Sequence, residues 1–234
     1  MSRLTFYSAH SRAGGNLLRC VLWIPACAGM SGWIAVVRLG LVGLLAVLLA
    51  GAFITSAAAQ EPTHAKIQTS RGDMVVELEP DAAPATVANF LKYATSGHYD
   101  RTLFHRVVKG FVIQGGGYST LYTERVLRDP IPYEGDNGLK NLRGTIAMAR
   151  SDSPDSAQAQ WFINLKDNED LDHRVTDLGP IYGYAVFGRV VEGMDVADAI
   201  GDVPTGPGGP FDAEAPLEKI FITRIDPIDW PAAE

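Results

Sequence analysis

Arg106 lies inside an apolar stretch, Phe104-His105-Arg106-Val107-Val108, and is followed closely by Phe111 and Gln114. A charged group in such a stretch costs free energy unless it is paired or lines a cleft. Positions 106, 111 and 114 are spaced to converge on one surface patch. The patch would hold a permanently protonated donor, an amide and an aromatic wall. Further groups follow downstream. Gln160 and Phe162 are two apart and so share a strand face. Leu171-Asp172-His173 precedes Tyr184-Ala185-Val186-Phe187.

Other chemistries lack their patterns. The five histidines show no compact metal-ligand spacing, and no cysteine follows residue 59, so no metal is expected. Gly115-Gly116-Gly117 lacks the order of a phosphate loop. Glu169, Asp170 and Asp172 lack calcium-loop spacing. Ser151, Ser153 and Ser156 lie outside any nucleophile elbow. The net charge of −7 argues against general nucleic-acid binding, which needs basic groups to neutralise phosphates.

These residues need elements to hold them. Alternation over 65–69 and 74–78 around Ser70-Arg71-Gly72-Asp73 predicts a hairpin. Further strands are expected over 102–108, 111–114, 144–149, 159–165, 184–191 and 217–225. A helix is expected over 84–94, where proline is tolerated in the first turn. Its inward face would be Val87, Phe90, Leu91 and Ala94. A second helix over 193–200 would turn Val196, Ala199 and Ile200 inward and stop at Gly201. Residues 115–143 and 201–216 read as loops. His105 would face away from Arg106, because strand neighbours alternate, and be packed and hydrogen-bonded. Seven or eight strands with two helices fit a barrel, although periodicity does not separate barrel from sandwich.

Five segments occur together: FHRVVKGFVIQGG at 104–116, GTIAMAR at 144–150, AQWFIN at 159–164, Leu171-Asp172-His173, and YAVFGRV at 184–190. In this order and spacing the chain resembles the cyclophilin-type peptidyl-prolyl cis–trans isomerases over about residues 65–226, most closely the exported bacterial ones. The resemblance implies an all-β-dominated fold, a closed eight-stranded antiparallel barrel capped by two helices. It implies an isomerase of Xaa-Pro bonds that needs no cofactor and acts on proline-containing polypeptides. It gives Arg106, Phe111 and Gln114 catalytic roles, with Gln114 orienting the arginine. Val112, Arg150, Gln160, Phe162, Leu171 and Tyr184 would contact substrate. Asp170 stands where an aromatic wall is common in the family and would put a carboxylate at the rim. The alternative function is a non-catalytic peptide-binding module or holdase on the same fold. Nothing in the sequence points to an obligate oligomer, so a monomer is expected.

Residues 1–59 are a different object. They hold Arg3, Arg12, Arg19 and Arg38, no acid, and both cysteines, Cys20 and Cys27. The remaining 175 residues carry 16 basic and 27 acidic side chains. The apolar run at 39–54 follows Arg38 and ends near Ala57-Ala58-Ala59, the pattern of a secretory signal. Cleavage is expected after Ala59, with 60–234 as a single isomerase domain in the periplasm and no membrane association. An uncleaved signal would instead anchor the domain to the inner membrane. Met30 is the expected true start, since 59 residues exceed the usual length of roughly 15–30. Mass spectrometry of the protein recovered from cells should therefore find an N-terminus at Gln60; an intact Met1 terminus would contradict both expectations.

Overall fold

The structure is a computed structural model that describes residues 62–230, so the expectations for 1–59 lie outside the described residues. The predicted hairpin is β1 (His64–Thr69) and β2 (Gly72–Leu78). In β1 the alternation is complete, with Ala65, Ile67 and Thr69 buried between exposed or half-buried neighbours. The following strands are β3 (Thr102–Val108), β4 (Val112–Ser119), β5 (Thr145–Met148) and β6 (Trp161–Asn164). Then come β7 (Arg174–Thr176), β8 (Gly179–Ile181), β9 (Ala185–Glu192), β10 (Thr205–Gly208), β11 (Phe211–Pro216) and β12 (Phe221–Ile228).

Eight of these close a barrel in the order β1-β12-β3-β4-β6-β5-β9-β2. Their pairings are antiparallel, and β2 returns to β1. Closure removes the open sheet edges that would otherwise present unpaired backbone. The expected eight-stranded barrel is thus the observed one.

The interior is filled by one side of the pleat. Ile67, Met74, Ile113, Ile146, Met148, Trp161, Ile163 and Phe187 are fully or almost fully buried. The helix α1 (Pro84–Thr95) adds Val87, Phe90, Leu91 and Ala94, as its period predicts. Phe90 meets Phe187, Tyr99 and Trp161 at ring separations of 5.2, 5.5 and 6.4 Å. The helix α2 (Met194–Gly201) joins the same core through Ala197 and Ile200. Ala199 was expected inward and is exposed. Val196 packs half-buried against the core, and Ala197 and Ile200, i and i+3 on one face, are fully buried, which leaves Ala199 on the outer side of the helix.

Two loop expectations change. Strand β4 continues through the glycine run to Ser119. Gly116 has φ +87°, and an added Cβ would lie 2.9 Å from Tyr99 and 3.1 Å from Trp161, so the glycines let the strand pass close over large core rings. The Pro/Gly-rich stretch after 203 is no open loop but the hairpin β10–β11. Turn-forming residues conceal a strand signal when they occupy the strand itself. The hairpin β7–β8 was also not anticipated. Its strand residues are largely exposed, so they carry no burial pattern.

The long connection over 120–144 has a structural duty at α1. Ala83, the residue before the helix, offers no side-chain cap. Glu134 replaces it from the loop. Its carboxylate accepts from the amides of Ala85 and Thr86 at 2.9 and 2.8 Å and from the Thr86 hydroxyl at 2.6 Å. A negative charge is favoured at that helix end by the macrodipole. Glu134→Ala should lower unfolding free energy by roughly 1–2 kcal/mol, as loss of a cap does, with Glu134→Gln losing less. Urea denaturation measures the difference; equal stability of Glu134→Ala and wild type would refute the cap.

Candidate active site

The register places the site before any loop does. Arg106 pairs with Gln114, Gln114 with Phe162, Phe162 with Ala147, and Ala147 with Val186. Residues directly opposite on neighbouring strands point to the same face. Their strand neighbours Val107, Ile113, Ile163 and Ile146 fill the interior, so this row lies on the outside of the barrel. Val112, two residues before Gln114, shares that face. Val112, Ala147, Phe162 and Val186 form a second buried apolar cluster, separate from the core, with Phe111, Leu139, Ala149, Leu171 and Tyr184 packed against it.

Two segments turn this outer patch into a pocket. Phe111 stands just before β4, where its carbonyl accepts from the Leu165 amide at 2.9 Å and the Asn168 side chain at 3.1 Å. Leu171 is joined to the other rim by the bond from the Tyr184 amide to its carbonyl, 2.9 Å. At Gly183 an added Cβ would fall 2.3 Å from that carbonyl, so only glycine lets the rims approach. Phe162 and Tyr184 meet edge to face at 5.3 Å. The resulting cavity is about 220 Å³, lined by Arg106, Phe111, Val112, Gln114, Ala149, Arg150, Phe162, Leu171 and Tyr184. It is smaller than a drug-sized site of roughly 300–1,000 Å³ and suits one compact apolar group. A wider groove of about 400 Å³ adjoins it, sharing Gln114, Ala149 and Arg150 and reaching Gln160 and Glu124.

The structure therefore gathers eight of the nine expected residues around one cavity, with Gln160 in the adjoining groove. Their partners refine the expected roles. Gln114 donates to the Gln160 side chain at 3.0 Å. The arginine is held elsewhere: its Nε donates to the Glu214 carboxylate at 2.7 Å, and its guanidinium stands 6.0 Å from the Phe111 ring centre. Arg150 is bound to backbone. It donates to the carbonyls of Gly183 (3.0 Å), Ser151 (2.8 Å), Asp152 (3.3 Å) and Tyr182, and lies 5.1 Å over the Tyr184 ring. Asp170 does not line the pocket. Its carboxylate is fully exposed and faces Arg174 at 3.7 Å, because the short helical turn at Glu169–Leu171 points it outward while Leu171 points in.

Sequence reasoning missed the support behind the pocket. Asn164 donates to Asn141 (3.2 Å) and Thr145 (2.9 Å), and Asn168 donates to Asn164 (2.7 Å). Asn141 donates to Asp172 and to the Leu171 carbonyl, each at 3.0 Å. This buried network thus ties together the backbone of Phe111 and Leu171, opposite walls of the pocket. Asn164 ended one of the recognised segments and Asp172 lay within another, which was the available signal. Glu214 had none.

His105 also departs from expectation. The β3–β4 register shifts between Phe104 and Arg106, so His105 is the extra residue of a bulge, and simple alternation fails there. Both neighbours reach the hairpin β10–β11: His105 stacks on Phe211 at 5.2 Å while Arg106 bonds Glu214. The imidazole is packed as expected, but its Nδ1 has no hydrogen-bond partner among the described residues.

Residues 64–226 match the family model for cyclophilin-type peptidyl-prolyl cis–trans isomerases. The chain belongs to this family. It is 47% identical over 182 residues to peptidyl-prolyl cis-trans isomerase A of Dickeya dadantii, spanning 78% of this chain and 93% of that protein. It is 46% identical over 157 residues to isomerase B of Escherichia coli, spanning 67% and 94%. Among solved structures, it is similar to a Cryptosporidium parvum cyclophilin determined in the presence of the dipeptide Ala-Pro. That match has TM-score 0.57 and 27% identity and covers 71% of this chain and 99% of that one. In this cyclophilin, the bulge at His105 has a measurable consequence. Burial pushes the imidazole from 6.5 down to about 4, against the opposing influence of the Leu103 carbonyl and Gln160. The unfolded chain then binds more protons than the folded one between those values, so stability rises with pH through that window and levels above it. Burial lowers His98 too, in the same direction. Between pH 7.5 and 4.5 wild type should lose about 2–3 kcal/mol more than His105→Gln. Chemical denaturation across that range tests it, and parallel stability curves for the two proteins would exclude a buried neutral His105.

Proposed function

We propose that this chain is a peptidyl-prolyl cis–trans isomerase acting on polypeptides exported to the periplasm, with Arg106 as the catalytic donor. The observation that carries the reading is a cationic donor at the mouth of a small apolar pocket, set in one register row with Gln114 and Phe162. The Ala-Pro dipeptide present with a related cyclophilin supports proline as the group that fills it. Export is supported by the signal-like pattern of residues 39–59, with an inner-membrane anchor as the alternative.

The barrier to turning an amide is about 18–20 kcal/mol, because conjugation gives the C–N bond double-bond character. Exchange at an Xaa-Pro bond accordingly takes roughly tens to hundreds of seconds. In the twisted state conjugation is lost and the prolyl nitrogen carries a free lone pair. A guanidinium N–H aimed at that nitrogen binds the twisted state more tightly than either planar state, and only such a difference accelerates the step. Phe111, Val112, Phe162 and Leu171 hold the ring while the preceding carbonyl swings. They also exclude water, which strengthens the hydrogen bond. The adjoining groove receives flanking peptide. No covalent bond forms or breaks.

Exchange of an Xaa-Pro peptide by residues 60–234 tests this directly. Wild type should accelerate it, and Arg106→Ala should lose activity on the order of 10²–10³-fold, comparable to removal of one transition-state donor elsewhere. The wild-type rate should be nearly flat from about pH 6 to 9, since the guanidinium stays protonated. Absence of acceleration by wild type would favour the peptide-binding module; full activity in Arg106→Ala would overturn the mechanism.

A further inference from the structure

Resting on that reading, we propose that Glu214 is a positioning residue for Arg106, holding the Nε edge of its guanidinium so that the terminal nitrogens face the proline pocket. The two residues are 108 apart in sequence and 2.7 Å apart at Nε and Oε2. A guanidinium has five N–H donors. Spending the single Nε donor on a carboxylate leaves the four on the terminal nitrogens for the pocket that Arg106 lines. It also fixes the plane of the group, because Nε joins that plane to the side-chain stem.

The surroundings of Glu214 are built for this contact. Register in the hairpin shifts between Gly206 and Gly208, so Asp212–Glu214 bulge from β11. A bulge re-aims side chains. Glu214 itself has φ +64°, a region that glycine and asparagine enter readily and other residues seldom do. Such strain persists where the surrounding structure over-determines it. Here the hairpin is fastened to the barrel beside Arg106. Phe211 stacks on His105 and meets Tyr118 edge to face at 5.0 Å, and Ala215 is fully buried. Both carboxylate and guanidinium are more than a third exposed, so the pair contributes little to stability. What the contact provides is direction.

The test compares wild type with Glu214→Gly and Glu214→Gln. Glycine removes the carboxylate and also the backbone strain. A purely structural ion pair predicts unchanged turnover in Glu214→Gly. Positioning predicts a fall in kcat of roughly ten- to a hundredfold, as misplacement by about 1 Å produces, with KM within about twofold and no drop in Tm. Glutamine keeps a neutral acceptor and should recover part of the lost kcat. Unchanged kcat in Glu214→Gly, or a loss that accompanies a lowered Tm, would overturn the proposal. Should wild type itself fail to accelerate exchange, the isomerase reading fails, and the positioning claim is decided by the ¹⁵N spectrum of residues 60–234. The Arg106 Nε–H signal should be slow to exchange in wild type and broadened or lost in Glu214→Gly; the same signal in both would refute it.

Discussion

The site depends on the pleat of the barrel sheet. Between the bulges, side chains alternate between interior and exterior, and the interior is occupied by Trp161, Phe187, Ile113 and their neighbours. A pocket cannot form there without emptying the core. It must be built on the outer face, where residues aligned across β3, β4, β6, β5 and β9 supply a floor. The row from Arg106 through Gln114 and Phe162 to Val186 is that floor. A one-residue slip in any of these pairings would send half the row inward. The packed interior thus enforces the register that aligns the outer site.

An outer face is normally solvated, and this one is apolar. Phe162 is only 4% exposed because segments beyond the strands cover it. Those segments lack strand partners for their backbone groups, so side chains must satisfy them. The Asn141, Asn164, Asn168 and Asp172 network does this under the walls, and Arg150 does it at the rim. Buried amides of this kind are costly where unpaired, and in this network the Asn168 Oδ1 lacks a partner among the described residues. Their bonds to the Phe111 and Leu171 carbonyls hold the pocket at a fixed width.

Most of the barrel was legible because burial leaves an imprint. β1 alternates, α1 repeats with helical period, and the bounds of both follow the pattern. Recognition of the ordered segments then added the closure and the gathering of pocket residues, which periodicity alone leaves open. Legibility failed where burial is weak or the backbone is irregular. The exposed β7–β8 hairpin has no apolar face to reveal it. β10–β11 is written in glycine and proline, which read as turns. The bulge at His105 reverses the expected relation of two neighbours, and no residue type marks it. Glu214 is invisible for a different reason: it matters through a partner 108 positions away, and an acid two residues after Asp212 in a Pro/Gly-rich stretch looks like any solvated carboxylate.

The two arginines of the pocket show why contact lists alone do not assign a donor. Both line the cavity, both stand over an aromatic ring, and both carry a full charge. Arg150 is engaged through all three of its nitrogens by four backbone carbonyls. Four of its five N–H donors are thereby engaged, and the one left on Nη2 is held in the plane that those four bonds set. Arg106 is bonded to a side chain through Nε and can accept a new partner without breaking that bond. A catalytic donor must be oriented before the twisted amide arrives yet still unsatisfied when it does. Among the described residues, Arg106 has four N–H donors free against one on Arg150, and it is oriented because a carboxylate on a bulged hairpin holds it from behind.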